Sequence, residues 1–290
     1  MGIHFIQENE YPKLLKGIGK DAPKQLYYKG SWDEDIFQNC LAVVGSRQMT
    51  TYGKQVVEKI VSEVAAAGIT IVSGFMYGVD AEAHKTTLRV GGRTIAVMPC
   101  GIDLIHPEHQ QDLHKEILEN KGLVISEYEG NFAPALWTYP RRNRIVAGLS
   151  KAALVIEAGE KSGSLITANL AKKYKRKVFV VPGPITSENS KGIMQLIKEG
   201  AEAVSSAQDI LNFYKINFQF LISNFQSSSN FQFSNNSIEQ KILKQLQREA
   251  LEIDVLARIT GTSASEIGTI LSMMQLKGQI KQEGNKYYIN

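Results

Sequence analysis

The chain has 290 residues, 43% of them hydrophobic and 21% charged, with a formal net charge of +4. That is enough chain for one large core and a small second domain, and the ordinary globular composition excludes fibrous and disordered classes. Two cysteines, Cys40 and Cys100, exclude a disulfide scaffold and fit a reducing, cytoplasmic setting, and no apolar stretch approaches the roughly 18 residues of a membrane span.

Residues 1–40 read as a lead-in. Met1 to Ile6 lacks the basic and long apolar regions of a signal peptide, and Ile6 stands where a myristoylation motif needs Ser or Thr. From 41 to 214 short apolar runs alternate with amphipathic stretches. Strands are expected at 41–44, 69–72, 94–98, 123–125, 153–156 and 178–181. Helices are expected at 53–67, 79–90, 110–120, 140–149 and 163–174, where apolar residues recur at helical spacing. The strand runs are continuously apolar, as in strands buried on both faces, and the alternation predicts an α/β domain: a Rossmann-like parallel sheet with helices on both faces. Residues 215–236, rich in Asn, Gln, Ser and Phe, read as a linker. Residues 237–290 predict three helices and a hairpin, a small C-terminal winged-helix domain. In it Ser263 and Glu266 form a capping box, Gly284-Asn285 makes the hairpin turn, and Met273 and Met274 would suit a protein partner if exposed.

In an open parallel sheet, ligands sit beyond the carboxyl ends of the strands. The first strand is followed by Gly45-Ser46-Arg47 and then Thr50, and the second by Ser73-Gly74 and Gly78. The fifth is followed by Lys161-Ser162-Gly163-Ser164 and then Thr167. Glycines allow tight turns, hydroxyls and helix N-termini cradle phosphate, and arginine adds a bidentate fork. A glycine turn before a helix is commonplace; three at one sheet edge predict a phosphate-lined pocket. The run Trp137-Thr138-Tyr139-Pro140-Arg141-Arg142-Asn143-Arg144 interleaves aromatics with arginines at a helix start. Arginines there oppose the helix dipole unless an anion is present, and aromatic faces stack on unpaired bases. From Arg141 to Lys177 ten basic residues face two acidic ones, which suggests a polyanionic partner.

Neither nucleotide fingerprint, G-x-x-x-x-G-K-[ST] nor G-x-G-x-x-G, is present, and no nucleophile elbow is found. Asp80 and His84 share a helix face, which admits an acid–base pair; with no nucleophile to complete a site, the favoured reading is a dipole-facing carboxylate and a packed, hydrogen-bonded histidine. His106, His109 and His114 fit no metal spacing, so no metal or cofactor is expected and no catalytic set is assigned.

Four ordered motifs carry a resemblance. Gly45-Ser46-Arg47-x-x-Thr50-x-Tyr52-Gly53, Ser73-Gly74-x-x-x-Gly78-Val79-Asp80-Ala81-x-Ala83-His84, Arg142-Asn143-Arg144-Ile145-x-x-Gly148-Leu149 and Glu157-Ala158-x-x-x-Ser162-Gly163-Ser164-Leu165-x-Thr167-Ala168 resemble those of the DprA/Smf DNA-processing family. The resemblance spans about residues 41–214, and the winged helix fits that family's C-terminal domain. It implies sequence-nonspecific binding of single-stranded DNA, homodimers, and delivery of the strand to the RecA recombinase in natural transformation. It also implies that Ser46, Arg47, Arg142, Asn143, Ser162 and Ser164 fall at the DNA pocket. Tyr139 stands where the family usually has phenylalanine, and Pro99 and His106 replace a usual glycine and tyrosine. The alternative is a nucleotide-processing enzyme of the related phosphoribohydrolase type, whose P-G-G-x-G-T-x-x-E run has no counterpart here.

Overall fold

The computed structural model describes residues 4–216, 235–276 and 279–289. The chain divides into two compact units, Met1–Leu221 and Ile222–Asn290.

The first unit is built on one nine-stranded sheet of order β1-β2-β6-β5-β4-β3-β7-β8-β9. Its strands are β1 (His4–Gln7), β2 (Gln25–Gly30), β3 (Cys40–Val44), β4 (Thr70–Ser73), β5 (Thr94–Gly101), β6 (Leu123–Tyr128), β7 (Ala152–Val155), β8 (Lys177–Val180) and β9 (Glu202–Ala203). Strands β3 to β9 pair in parallel. The helices are α1 (Lys13–Lys16), then α2 (Thr51–Val56) passing through a π turn (Val57–Val61) into α3 (Ser62–Ala66), then α4 (Val79–Arg89), α5 (Gln111–Glu119), α6 (Thr138–Leu149), α7 (Gly163–Lys173), α8 (Glu188–Lys198) and α9 (Ala207–Tyr214).

The sidedness follows from the strand sequences. In β3, Ala42 and Val44 join the cluster that takes in Leu15 of α1, Ile145 of α6, Ala168 of α7 and Leu196 of α8. Leu41 and Val43 point the other way, with Val57, Val64, Val79 of α4 and Ile210 of α9. A strand apolar on both faces needs a helical layer on each, and the sheet has both. Beyond β4, the second layer continues through α5, whose Leu113 and Ile117 pack with Phe75, Met98 and Val124.

One boundary is corrected. The expected lead-in carries two strands of the same sheet: β1 pairs antiparallel with β2, and β2 antiparallel with β6. The sheet continues there because β6 would otherwise present an open row of backbone donors and acceptors at its edge.

The second unit has α10 (Asn235–Leu246), β10 (Leu251–Glu252), α11 (Ile253–Thr260), α12 (Ala264–Leu276), β11 (Ile280–Glu283) and β12 (Lys286–Ile289). β12 lies between β10 and β11, antiparallel to both. Gly284, at φ +62°, makes the hairpin turn. Ile242, Leu256, Ile267, Leu271, Met274 and Tyr287 form its own core. This is the winged helix expected from the sequence. Met274 is fully buried and so offers no surface to a partner. The side chains of Met273 and of Glu266 in the expected capping box, and most of the expected linker at 215–236, lie outside the described residues.

Candidate nucleic-acid interface

From β3 the chain order runs through β4, β5 and β6 on one side and through β7, β8 and β9 on the other. Reversal of the winding opens a crevice at the carboxyl ends of the adjacent strands, where open α/β sheets bind ligands. A cleft of about 750 Å³ occupies that place. Its walls bring together Gly45, Ser46 and Arg47 after β3, Gly74 after β4, and Lys161 and Ser162 after β7. Gly163, Ser164 and Thr167 of α7 and Tyr139, Arg142 and Asn143 of α6 complete them.

The loops are shaped by close approach. A Cβ on Gly45 would fall 2.6 Å from Val79 Cγ2, and one on Gly78 would fall 2.3 Å from the Ser46 carbonyl oxygen. Gly78 also sits at φ +69°, so the β3 and β4 loops nest only with glycine there. Ser162 caps α7: its hydroxyl accepts from the Ser164 amide at 3.3 Å and lies 2.8 Å from the Ser164 hydroxyl. Hydroxyls at the positive end of an eleven-residue helix favour an anion. Arg47 and Lys161 are exposed and make no ion pair among the described residues. The Arg47 guanidinium lies 5.1 Å from the Tyr139 ring centroid, and the Tyr139 hydroxyl bonds His106 Nε2 at 2.8 Å.

Thr50, Ser73, Gly78, Arg141 and Arg144 do not line the cleft. Thr50 caps α2 and donates its hydroxyl to Glu157 Oε1 at 2.5 Å. Ser73 is buried and donates to the Val43 carbonyl at 2.6 Å. Arg141 Nε and Arg144 Nη2 reach Glu127 at 3.1 and 2.5 Å. The dipole conflict seen in the sequence at the start of α6 is thus answered from inside, by the carboxylate of Glu127 at the end of β6.

Arg142 lines the cleft but is 4% exposed. Its Nη1 donates to the carbonyl oxygens of both Gly74 and Val97, and its Nε to Asn143 Oδ1 at 3.2 Å. Burial lowers its pKa to about 10, opposed by the nearby Asp80 carboxylate. Burial raises the Asp80 carboxyl above the usual carboxylate range, and the Arg142 charge works against that rise. Asp80 and His84 form no pair. His84 Nδ1 meets Thr94 Oγ1 at 2.6 Å, and that hydroxyl gives its own proton to the Ile71 carbonyl. The imidazole therefore holds its proton on Nδ1, as a packed core histidine.

Sequence reasoning missed Asn189 and Glu127. Asn189, on α8, donates to the Gln48 carbonyl at 2.9 Å and accepts from Ser46 Oγ at 3.4 Å. No helix was expected over α8, so nothing placed Asn189 beside the β3 loop. Of the three histidines near 110, His106 bonds Tyr139, His109 stacks on Tyr77 at 5.0 Å, and His114 packs edge-on to Phe75 at 6.2 Å. Among the described residues no group of three or more His, Cys, Asp or Glu could hold a metal ion, and no helix is long and apolar enough to cross a membrane.

Residues 2–215 match the family model for DNA recombination-mediator protein A, and residues 232–286 match the DprA winged helix domain. Protein Smf of Escherichia coli is 37% identical over 276 residues, 93% of this chain and 72% of that protein. Protein Smf of Synechocystis is 42% identical over 205 residues, but this chain spans only 51% of its length. Among solved structures, DprA of Streptococcus pneumoniae aligns with TM-score 0.68 at 39% identity, over 73% of this chain and 74% of that one. DNA processing protein A of Helicobacter pylori, described for its single-stranded DNA binding mode, aligns with TM-score 0.66 at 34% identity, over 74% and 96%. With models matched across both of its units, the chain belongs to the DprA/Smf family of DNA recombination mediators.

Proposed function

We propose that the chain binds single-stranded DNA without sequence preference, in the cytoplasm and as a homodimer. In this role it protects incoming strands and hands them to a RecA-type recombinase during DNA uptake, without catalysing a reaction of its own. The observation that carries this reading is the cleft: two unpaired cations, Arg47 and Lys161, flank the hydroxyl-lined start of α7 beside the Tyr139 ring. Cations and helix N-termini take phosphates, and a ring beside them takes an unpaired base. Phosphates and base faces are offered by every nucleotide, which suits sequence-tolerant binding. The Helicobacter pylori relative's single-strand binding and the recombination-mediator description of the family support the same reading.

The test is a titration of labelled single-stranded and duplex DNA of equal length across a salt series. Single strands are expected to bind more tightly. Arg47→Ala and Lys161→Ala are each expected to weaken that binding and to shrink the log–log salt slope by roughly 0.7 per lost phosphate contact. Wild-type affinity and slope in both variants would reject the cleft as the DNA site. Homodimer formation is checked by sedimentation, and strand hand-over by recombinase filament growth on coated single strands.

A further inference from the structure

The wall of the cleft includes Leu136, which is 93% exposed, and the next residue opens onto an aromatic cluster that the phosphate cleft does not use. The rings of Tyr128 and Phe132 stack with centroids 4.6 Å apart and an interplanar angle of 14°. Trp137 meets both edge-on, at 6.0 and 6.3 Å. Phe132 and Trp137 are 41% and 51% exposed. Mutual ring contacts hold these side chains in place while leaving aromatic surface in water, which burial against a ligand would stabilise.

The charges around the cluster indicate the kind of ligand. Arg141, held by Glu127, lies 5.8 Å from the Trp137 ring centroid. Arg141 and Arg144 also line a groove of about 500 Å³ with Tyr128, Lys20 and Lys24. The groove's two carboxylates are engaged: Glu127 with both arginines, and Asp21 with Lys173 at 2.5 Å. Lys20 and Lys24 are exposed and make no ion pair among the described residues. Aromatic faces beside unpaired cations match a single strand, whose bases stack and whose phosphates pair with cations. Glu129, in the turn between Tyr128 and Phe132, makes no ion pair among the described residues but accepts the Tyr27 hydroxyl at 3.2 Å.

We propose that Trp137, Phe132 and Tyr128 form a second base-stacking subsite for single-stranded DNA. A strand seated in the cleft passes Leu136, stacks a base on this platform, and lays its next phosphates toward Lys20 and Lys24. The inference rests on the DNA-binding reading of the cleft. It also predicts a minimum strand length, since only a strand longer than the cleft reaches the platform.

The experiment uses the full chain with oligo-dT of about four and about sixteen nucleotides, lengths that bracket common single-strand site sizes. Trp137→Ala is expected to weaken the longer strand about fivefold or more and to leave the shorter one unchanged, with Trp137→Phe retaining most of the affinity. Tryptophan emission should be quenched by the longer strand in the wild type and not in Trp137→Phe. Unchanged affinity of Trp137→Ala for the longer strand would overturn the proposal and leave the platform to a protein partner. Equal loss at both lengths would also overturn it, by making Trp137 part of the cleft. Arg47→Ala separates the two readings. If it binds both lengths like wild type while Trp137→Ala fails on the longer strand, the cleft assignment falls and the platform stands.

Discussion

An arginine whose Nη1 lies between the carbonyls of Gly74 and Val97 has little left to offer a phosphate. Arg142→Ala would leave those buried oxygens without their donor and remove the positive charge that offsets the burial of Asp80, and each unsatisfied buried group costs about 1–3 kcal/mol. Urea melts are therefore expected to show a large drop in stability for Arg142→Ala and only a small one for Arg47→Ala. Equal stabilities would show that Arg142 is not structural. Lysine at 142 should not rescue, because an ammonium lacks the planar fork that serves two carbonyls and Asn143 together. Tyr139 carries a cleaner functional expectation. Tyr139→Phe loses only the bond to His106 and should bind DNA nearly as wild type, whereas Tyr139→Ala should lose about 1–3 kcal/mol if the ring stacks on a base. Equal losses in titrations of the two variants would reject stacking. In the sequence, Arg141, Arg142 and Arg144 look alike, because composition says nothing of burial or of a distant carboxylate. Glu127 lies more than ten positions upstream, at the end of another strand, and only the sheet brings it to α6.

Elements carry the site as much as residues do. Gly78 lets the β4 loop nest against the β3 loop, and Gly78→Ala would set a methyl against the Ser46 and Arg47 carbonyls at a positive φ. The expected result is a loss of at least about 1 kcal/mol in stability together with weaker DNA binding, because the Arg47 loop must move. Full DNA affinity in a destabilised Gly78→Ala would show that the loop position is unimportant. Helix α4 adds a pH signature. Burial holds His84 at about 3, down from 6.5. Between those values the unfolded chain takes a proton that the folded site refuses, so stability falls as the pH drops, by on the order of 1 kcal/mol per unit. The raised Asp80 carboxyl works in the opposite sense, so the comparison is wild type against His84→Gln. The wild-type excess in melting temperature should shrink on acidification below about pH 6, and parallel curves would reject the linkage. The parallel strands were legible because continuous apolar runs have few other homes. Helix α8 was not, since Gly192 interrupts its pattern. That glycine is there because a Cβ would fall 2.6 Å from the Gly159 carbonyl oxygen. Strands β1 and β2 escaped notice because their partly exposed residues give no continuous apolar run.

At the scale of the whole molecule, the two units have separate cores. Helix α12, which would enter a major groove in a duplex reader, contains no lysine or arginine, and residues 238–290 hold seven basic against six acidic residues. Nonspecific affinity comes mainly from phosphate neutralisation, so this unit should add little to it. A chain ending at Ile216, which still packs on the first unit's core, should keep most of the single-strand affinity. Near-complete loss in a truncated protein that remains folded would reverse that division of labour. Ties between the loops bear on how such a protein treats different strands. Arg142 joins the β4 loop to β5, Asn143 Nδ2 donates to the Gly163 carbonyl at 3.3 Å, and Asn189 Nδ2 to that of Gln48 at 2.9 Å. With the protein side already ordered, the entropy lost on association falls on the nucleic acid. A weakly self-stacked, supple strand such as oligo-dT should then seat more readily than oligo-dA, which must first be unstacked. Composition would be sensed through the polymer's own stiffness rather than through any base-edge contact.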